Sequence, residues 1–381
     1  MIHSNITLIL TLSLLIWGSP FVAKILRMPI PPVEIILGST FAYLGLISYN
    51  EHFELIAQVG FLYLLFLAGM EVNLKQITKS PKEVIRKSIL FLALMVLFSS
   101  ASGLIFDLHM IVIITMPLIS IGLLAPLSKI YGKEKPWIQL AFIAGILGEI
   151  GSIVALTIFN AAISTGFSFV LLGKMAYLIF FIFVIYGLYK FLRILFWWFP
   201  ELKNILIPKD DTSNQDVRLA IALFFILIVV MLALELKLAL GAFIAGVAIS
   251  TFFHHEKALE EKMSSLGFGF LVPLFFIHVG SSFDLDALAL EGVVSGALLI
   301  TFLMIISRIL AAIVLRGISG SKDALLVALS LSMPLTLLVA LATIGYETKL
   351  LDLLIYYQLI LASIFEILIS MTLINILERR S

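Results

Sequence analysis

Three charged side chains lie in the middle of apolar runs, where an ionisable group is energetically costly and its presence requires an explanation. They are Glu149 in GILGEIGSIVAL, Arg308 in FLMIISRILAAIVL and Glu366 in ASIFEILIS. A charge at membrane depth costs about 2.5–3.5 kcal/mol on insertion scales and by default marks a functional position. Five other ionisable residues are expected only to anchor at an interface or to pack: Glu34, Glu71, Lys174, Glu235 and His278.

The surroundings of Glu149 suit the binding of a small cation. Ser152 follows three residues later and therefore shares a helix face with the carboxylate. Gly145, Gly148 and Gly151 form a stripe of small residues beside it. Such a stripe allows another stretch of backbone to approach closely.

Prolines in two other runs predict interrupted helices. Pro117 and Pro126 lie in MPLISIGLLAPL, and Pro334 lies in LSMPLTLL. A proline removes an N–H and leaves a carbonyl unpaired, which is tolerated at membrane depth where the segment lines a cavity. Beside the first break, Thr115 and Ser120 offer hydroxyl oxygens. The three prolines are therefore the predicted crossover breaks.

A carboxylate, hydroxyls and freed carbonyls can together replace the hydration shell of a monovalent cation. The predicted ion-binding and proton-binding residues are Glu149, Ser152, Ser120 and Thr115. Because desolvation favours the neutral form of a carboxyl group, Glu149 could also hold a proton near neutral pH. A group that takes either ion, but not both, is sufficient for cation/proton exchange.

Arg308 is expected to be a supporting charge. Arginine stays protonated in proteins, so a fixed positive charge is a better role for it than proton transfer. It needs a carboxylate partner, and both Glu366 and Glu149 are candidates. A pair with Glu366 is favoured; a permanent pair with Glu149, which would lock two helices, is the structural alternative.

The composition indicates a membrane protein. Of 381 residues, 61% are hydrophobic and 13% are charged, and the mean hydropathy is +1.15. Soluble domains have roughly 45–50% apolar and about 25% charged residues. The net charge of +1 argues against a nucleic-acid partner. With no cysteine in the chain, disulfides, thiolate metal sites and cysteine nucleophiles are excluded.

Thirteen apolar runs are long enough to span a bilayer, which takes about 20 residues. We therefore predict an all-α membrane protein with thirteen transmembrane helices. The runs are 6–23, 30–48, 54–72, 88–106, 110–128, 137–162, 168–196, 217–235, 237–253, 264–282, 289–315, 322–345 and 350–377.

The basic residues give the expected orientation. All but four of the lysines and arginines lie in or beside alternate loops and at the C-terminus, the exceptions being Lys174, Lys237, Arg308 and Lys349. Cytoplasmic loops are enriched in basic residues. We therefore expect a multi-pass protein of the cell inner (plasma) membrane, with its N-terminus outside and its C-terminus cytoplasmic. Six helices on each side of the seventh suggest two related halves.

Several motifs resemble those of the monovalent cation:proton antiporter-2 family of Kef-type and NapA-type exchangers. They cover most of the chain and occur in the family's order. The motifs are LRMPIPPVEIILGS (26–39), FLAGMEVNL (66–74), LALGAFIAGVAIS (238–250), HHEKALEEKMSSLG (254–267) and VPLFFIHVGSSFDLDAL (272–288).

The resemblance implies an NhaA-like fold with inverted repeats and two crossing broken helices. It implies a homodimer in which a dimerisation part (about 1–73 and 217–283) supports a mobile core (about 88–162 and 289–377), joined by a linker helix (about 168–196). The family's sixth helix carries two adjacent polar residues, of which the second binds the ion. Glu149 falls on that second position and Gly148 on the first, so the usual polar neighbour is missing.

These observations predict a transporter and not an enzyme. Its substrates would be a monovalent cation (Na⁺, Li⁺ or K⁺) and the proton, exchanged electroneutrally by an elevator mechanism, with no cofactor. Two alternatives remain open on the sequence: an uncoupled cation channel or leak, and a sodium-coupled symporter of organic anions with a related fold.

Overall fold

A computed structural model describes residues 2–26, 28–48, 50–71, 80–121, 123–165, 214–234, 238–252 and 257–379, with a few isolated positions between 187 and 198. Throughout these residues the regular structure is helical and no strand occurs. Seven helices in the described part are long and apolar enough to cross a membrane, and three shorter apolar helices accompany them. The prediction of an all-α membrane protein is confirmed.

The N-terminal part of the chain contains seven described α-helices. They are α1 (Ile2–Leu26), α2 (Ile30–Tyr43), α3 (Glu51–Glu71), α4 (Lys82–Ile105), α5 (Met110–Thr115), α6 (Leu124–Tyr131) and α7 (Pro136–Thr165).

The C-terminal part contains eight more in the described ranges, some joined by short turns of 3₁₀- or π-helix. They are α8 (Gln215–Ala233), α9 (Leu238–Phe252), α10 (Lys257–Leu266), α11 (Val272–Ser281), α12 (Val293–Ala311), α13 (Arg316–Ser330), α14 (Leu335–Glu347) and α15 (Leu353–Arg379).

Twelve of the thirteen predicted runs overlap one or two of these helices. The seventh run, 168–196, lies outside the described residues except at isolated positions. Lys174 and Glu235 also lie outside them. The count of thirteen spans, their orientation and the inverted repeats therefore stay predictions.

The described residues form two compact units. The first comprises Met1–Glu54, Lys75–Ser152 and Pro273–Ser381, and it contains all three membrane-depth charges. Within it, α12 packs against α15 and α4, and α14 packs against α15. These helices form the frame around Arg308 and Glu366.

The second unit comprises Leu55–Leu74 and Ile153–Val272. In it, α8 packs against α9. The rings of Tyr63, Phe66 and Phe224 form a cluster with centroids 5.4–5.7 Å apart, in which Phe224 meets both other rings edge-to-face. The division of the chain into dimerisation part, core and linker stays a prediction.

Two apolar runs are interrupted near their prolines. The first interruption is the stretch between α5 and α6, in which no described residue is helical. Pro117 lies in it. Pro126 lies just beyond it, in the first turn of α6, where a missing N–H costs no helical hydrogen bond. The second interruption, Leu331–Pro334, separates α13 from α14, and Pro334 is the N-cap of α14.

A polar contact joins the start of α7 to the end of α15. Trp137 Nε1 donates a hydrogen bond to Glu378 Oε1 at 2.8 Å, and Lys135 forms an ion pair with the other oxygen of the same carboxylate. This clamp holds together the ends of the two helices that carry Glu149 and Glu366.

Candidate functional site

Glu149 lies on α7, fully buried, and faces the first interruption. Its Oε2 accepts a hydrogen bond from the backbone N–H of Ile121 at 3.1 Å. Its Oε1 accepts a long, weak contact from the Ser120 hydroxyl at 3.5 Å, beyond the usual range of O–H···O hydrogen bonds. The Ile121 N–H can point at a carboxylate because the backbone there is not helical.

Ser152 contacts the same stretch of backbone one turn further along α7. Its Oγ accepts a hydrogen bond from the N–H of Ile119 at 2.9 Å. Glu149 and Ser152 therefore hold alternate N–H groups of the interruption, at residues 121 and 119. This arrangement fixes the non-helical segment against one face of α7.

Thr115 is placed differently from the other three predicted ion-binding residues. It is fully buried, but its hydroxyl donates to the Val112 carbonyl of its own helix at 2.7 Å. The structure thus brings Glu149, Ser120 and Ser152 together and leaves Thr115 as part of α5. The Ile121 N–H was missed by sequence reasoning, although the break at Pro117 signalled that nearby N–H groups would lack helical partners.

The glycines of α7 make room for the interrupted segments. A Cβ atom on Gly148 would come within 2.6 Å of Ile119 Cδ1, and one on Gly145 would come within 2.6 Å of Ile121 Cγ2 and 3.0 Å of Leu331 Cδ2. Both interruptions therefore approach α7 at Gly145. The absence of a polar side chain at 148 has a steric reason, since Ile119 occupies that space.

We expect Gly148→Ala to impair the site much more than Gly151→Ala. The methyl group at 148 would push Ile119, and with it the segment that binds Glu149, whereas a Cβ on Gly151 meets no atom within 4 Å. Overpacking of this kind costs about 1–3 kcal/mol. The measurement is the apparent KM for the cation that Glu149 is predicted to bind, which should rise for Gly148→Ala and stay near the wild-type value for Gly151→Ala. Equal values for the two variants would contradict this packing role.

Arg308 lies on α12 and pairs with Glu366 of α15, the partner that the sequence favoured. The distance from Nη1 to Glu366 Oε1 is 2.8 Å, and both side chains are fully buried. Nη1 also donates to the Met304 carbonyl at 3.1 Å, and Nη2 donates to the Leu118 carbonyl at 2.7 Å. No salt bridge among the described residues joins Arg308 to Glu149.

The backbone of the second interruption is hydrogen-bonded by a side chain of α15. The Ser370 hydroxyl, one turn after Glu366, donates to the Ser332 carbonyl at 3.3 Å. The guanidinium of Arg308 bonds to Leu118 of the first interruption. The helices α12 and α15 therefore bind the backbone of both interruptions while they hold each other.

Two ionisable residues outside the site are enclosed in the first unit. Glu34 is only 2% exposed, and its Oε1 accepts a hydrogen bond from Ser19 at 3.0 Å. The interfacial anchoring expected for Glu34 is therefore wrong, because α1 packs over α2 at this position. His278 contacts Phe53 edge-on, with ring centroids 5.2 Å apart, which confirms a packing role.

Comparison with known sequences gives one family over nearly the whole chain. The family profile described as "Sodium/hydrogen exchanger, transmembrane" matches residues 9–378. YjbQ of Bacillus subtilis is 22% identical over 376 residues, which covers 91% of this chain and 59% of YjbQ. The Na⁺/H⁺ antiporter of Enterococcus hirae is 24% identical over 356 residues, covering 89% of this chain and 88% of that protein. The chain thus spans less than two thirds of YjbQ.

The fold is similar to that of a solved structure. The sodium proton antiporter MjNhaP1 from Methanocaldococcus jannaschii superposes with a TM-score of 0.69 and 18% sequence identity. The similarity covers 97% of this chain and 96% of that one.

Proposed function

Because the chain belongs to the sodium/hydrogen exchanger family and is a multi-pass membrane protein, we propose that it exchanges a monovalent cation for protons. The cation is Na⁺, Li⁺ or K⁺. Glu149 is the group for which the cation and the proton compete, and Ser120 and Ser152 assist it.

The observation that supports this function is the environment of Glu149. The carboxyl group is fully buried, bonded to a backbone N–H and a hydroxyl, and in none of the salt bridges of the described residues. A buried carboxylate without a cationic partner is costly. Either a proton or a cation would neutralise it, and each would exclude the other.

The movement that carries the ion is proposed to be an elevator motion of the core. The core comprises about 88–162 and 289–377, and it moves against a dimerisation part of about 1–73 and 217–283 in a homodimer. The clamp between Glu378 and Trp137 supports this view, since it ties α7 to α15. Thirteen spans, inverted repeats, an outside N-terminus and membership of the antiporter-2 branch belong to the same proposal.

The test is exchange by the purified protein in liposomes that contain a pH-sensitive dye. Imposed gradients of Na⁺, Li⁺ and K⁺ should each be compared for a cation-driven change of internal pH. A change of internal pH that shows protons moving in the direction opposite to the cation supports the proposal. Cation flux without any pH change would indicate an uncoupled leak, and sodium-dependent uptake of an organic anion would indicate a symporter.

Exchange is expected to be electroneutral, one cation for one proton. The described site has one unpaired carboxylate, because Glu366 is already neutralised by Arg308. An imposed membrane potential should therefore leave the initial rate of exchange nearly unchanged. Rates measured with potassium and valinomycin at opposite potentials test this; for an assay of K⁺ transport, the potential is imposed with another ion. A strong dependence on potential would contradict the one-for-one stoichiometry.

A further inference from the structure

The guanidinium of Arg308 is surrounded by oxygens in the way that a bound metal cation is. Glu366 Oε1 lies 2.8 Å away, the Leu118 carbonyl oxygen 2.7 Å away and the Met304 carbonyl oxygen 3.1 Å away. A carboxylate with backbone carbonyls is a ligand set that monovalent cations accept in place of water. The difference is that this cation is attached to α12 by its own side chain.

Arg308 and Glu366 do not form a bidentate ion pair. Arginine and carboxylate frequently form two parallel hydrogen bonds, yet here only Nη1 and Oε1 meet. Arg308 Nε and Glu366 Oε2 are both buried, and neither has a hydrogen-bond partner in the described part of the chain. The guanidinium therefore supplies positive charge to a cluster of oxygens more than it matches the shape of Glu366.

Glu366 has surroundings comparable to those of Glu149. Each carboxylate lies on a helix whose serine, about one turn later, bonds to the backbone of an interruption. Ser152 accepts from the Ile119 N–H, and Ser370 donates to the Ser332 carbonyl. The main difference is that Glu366 has Arg308 beside it.

We propose that Arg308 is a tethered cation that fills a second cation site, formed by the Glu366 carboxylate and the carbonyls of Leu118 and Met304. Its presence leaves Glu149 as the carboxylate open to the transported ion. This statement about stoichiometry rests on the proposed function, but the existence of the second site does not. Shortening the arginine side chain should open the site to a free monovalent cation, and above all to guanidinium, which has the shape of the lost group.

The experiment measures cation binding in a protein whose proposed cation site at Glu149 has been removed. Glu149→Gln provides that background, and Arg308→Ala is added to it in the full chain. Thermal unfolding of the purified protein is then followed in millimolar guanidinium chloride, NaCl or KCl, against choline chloride at the same ionic strength. Guanidinium is expected to raise the unfolding temperature of the Arg308→Ala protein by about 2–4 °C. The protein with Arg308 intact should show no such rise.

A third protein tests whether Glu366 is the ligand. Adding Glu366→Gln to the Arg308→Ala protein should remove the guanidinium effect, since the site then has no negative charge. Stabilisation that survives Glu366→Gln, or its absence from the Arg308→Ala protein, would overturn the proposal. Because transport plays no part in the measurement, failure here leaves the proposed exchange activity untouched.

The proposal stays testable if Arg308→Ala does not fold in choline. Recovery of folded protein by purification in guanidinium or sodium would support it. If Arg308→Ala with Glu366→Gln folds but Arg308→Ala is not rescued by any of these cations, the proposal fails. Should neither fold, Arg308→Lys decides, since a tethered ammonium must restore folding if the site requires a cation, and failure to do so overturns the proposal.

Discussion

Glu149→Gln is expected to reduce cation/proton exchange to the background of protein-free liposomes while the protein stays folded. Glutamine is nearly isosteric, and its carbonyl oxygen can still accept from the Ile121 N–H at the position of Oε2. It cannot take up a proton in this pH range or neutralise a cation, so both half-reactions are lost together. Initial rates in dye-loaded liposomes measure the effect, and the elution profile and unfolding temperature of the same preparation establish that the fold is intact.

Glu34→Gln is the matched control for this experiment. Like Glu149, Glu34 is a buried glutamate that accepts a hydrogen bond from a serine hydroxyl, but its bond joins α2 to Ser19 of α1 and involves neither interruption. Its variant should therefore keep most of the exchange rate. If Glu149→Gln exchanged at the wild-type rate, or if the two variants lost activity equally, the ion would have to bind elsewhere.

Glu366→Gln is expected to produce the largest loss of stability, about 3–5 kcal/mol, because it leaves a fully buried guanidinium without its carboxylate. The Leu118 and Met304 carbonyls remain as partners of Arg308, but they carry no net charge. The decrease should be visible as a lower unfolding temperature and a smaller yield of monodisperse protein.

Removal of both charges tests whether the stability loss of Glu366→Gln comes from the unpaired charge of Arg308 or from a simple loss of packing. Arg308→Met combined with Glu366→Leu replaces the pair by apolar side chains, a change that is often nearly neutral in other buried pairs. The double variant should therefore recover most of the stability lost in Glu366→Gln. A single variant as stable as wild type, or a double variant less stable than the single, would contradict the importance of this charge balance.

The positions of the helices were predictable because hydrophobicity alone determines which segments can span a bilayer. The interruptions were predictable from Pro117 and Pro334, since a proline prevents the backbone hydrogen bond that would continue the helix. The extents of the interruptions were not, because the first continues past Ser120 without another proline until α6 has begun. In that stretch Ile119 and Ile121 pack against the glycines of α7.

The partners of the charged groups were harder to predict than their positions. Arg308 had two candidate carboxylates, and only the placement of α12 against α15 decides for Glu366. Its contact with the Leu118 carbonyl has no sequence signature, because every residue has a carbonyl. Thr115 shows the opposite case, in which a hydroxyl of the right type satisfies itself within its own helix turn.

The long sequence separation of Arg308 and Glu366 has a consequence for how the protein is made. The two residues are 58 positions apart, and at about 5–20 residues per second a ribosome needs roughly 3–12 s to pass from one codon to the other. During that interval Glu366 has not been made, whereas the carbonyls of Met304 and Leu118 are already present. Synthesis of α15 is therefore the step that supplies the carboxylate partner of this charge. A chain that terminates before residue 366 would therefore carry Arg308 without its carboxylate partner.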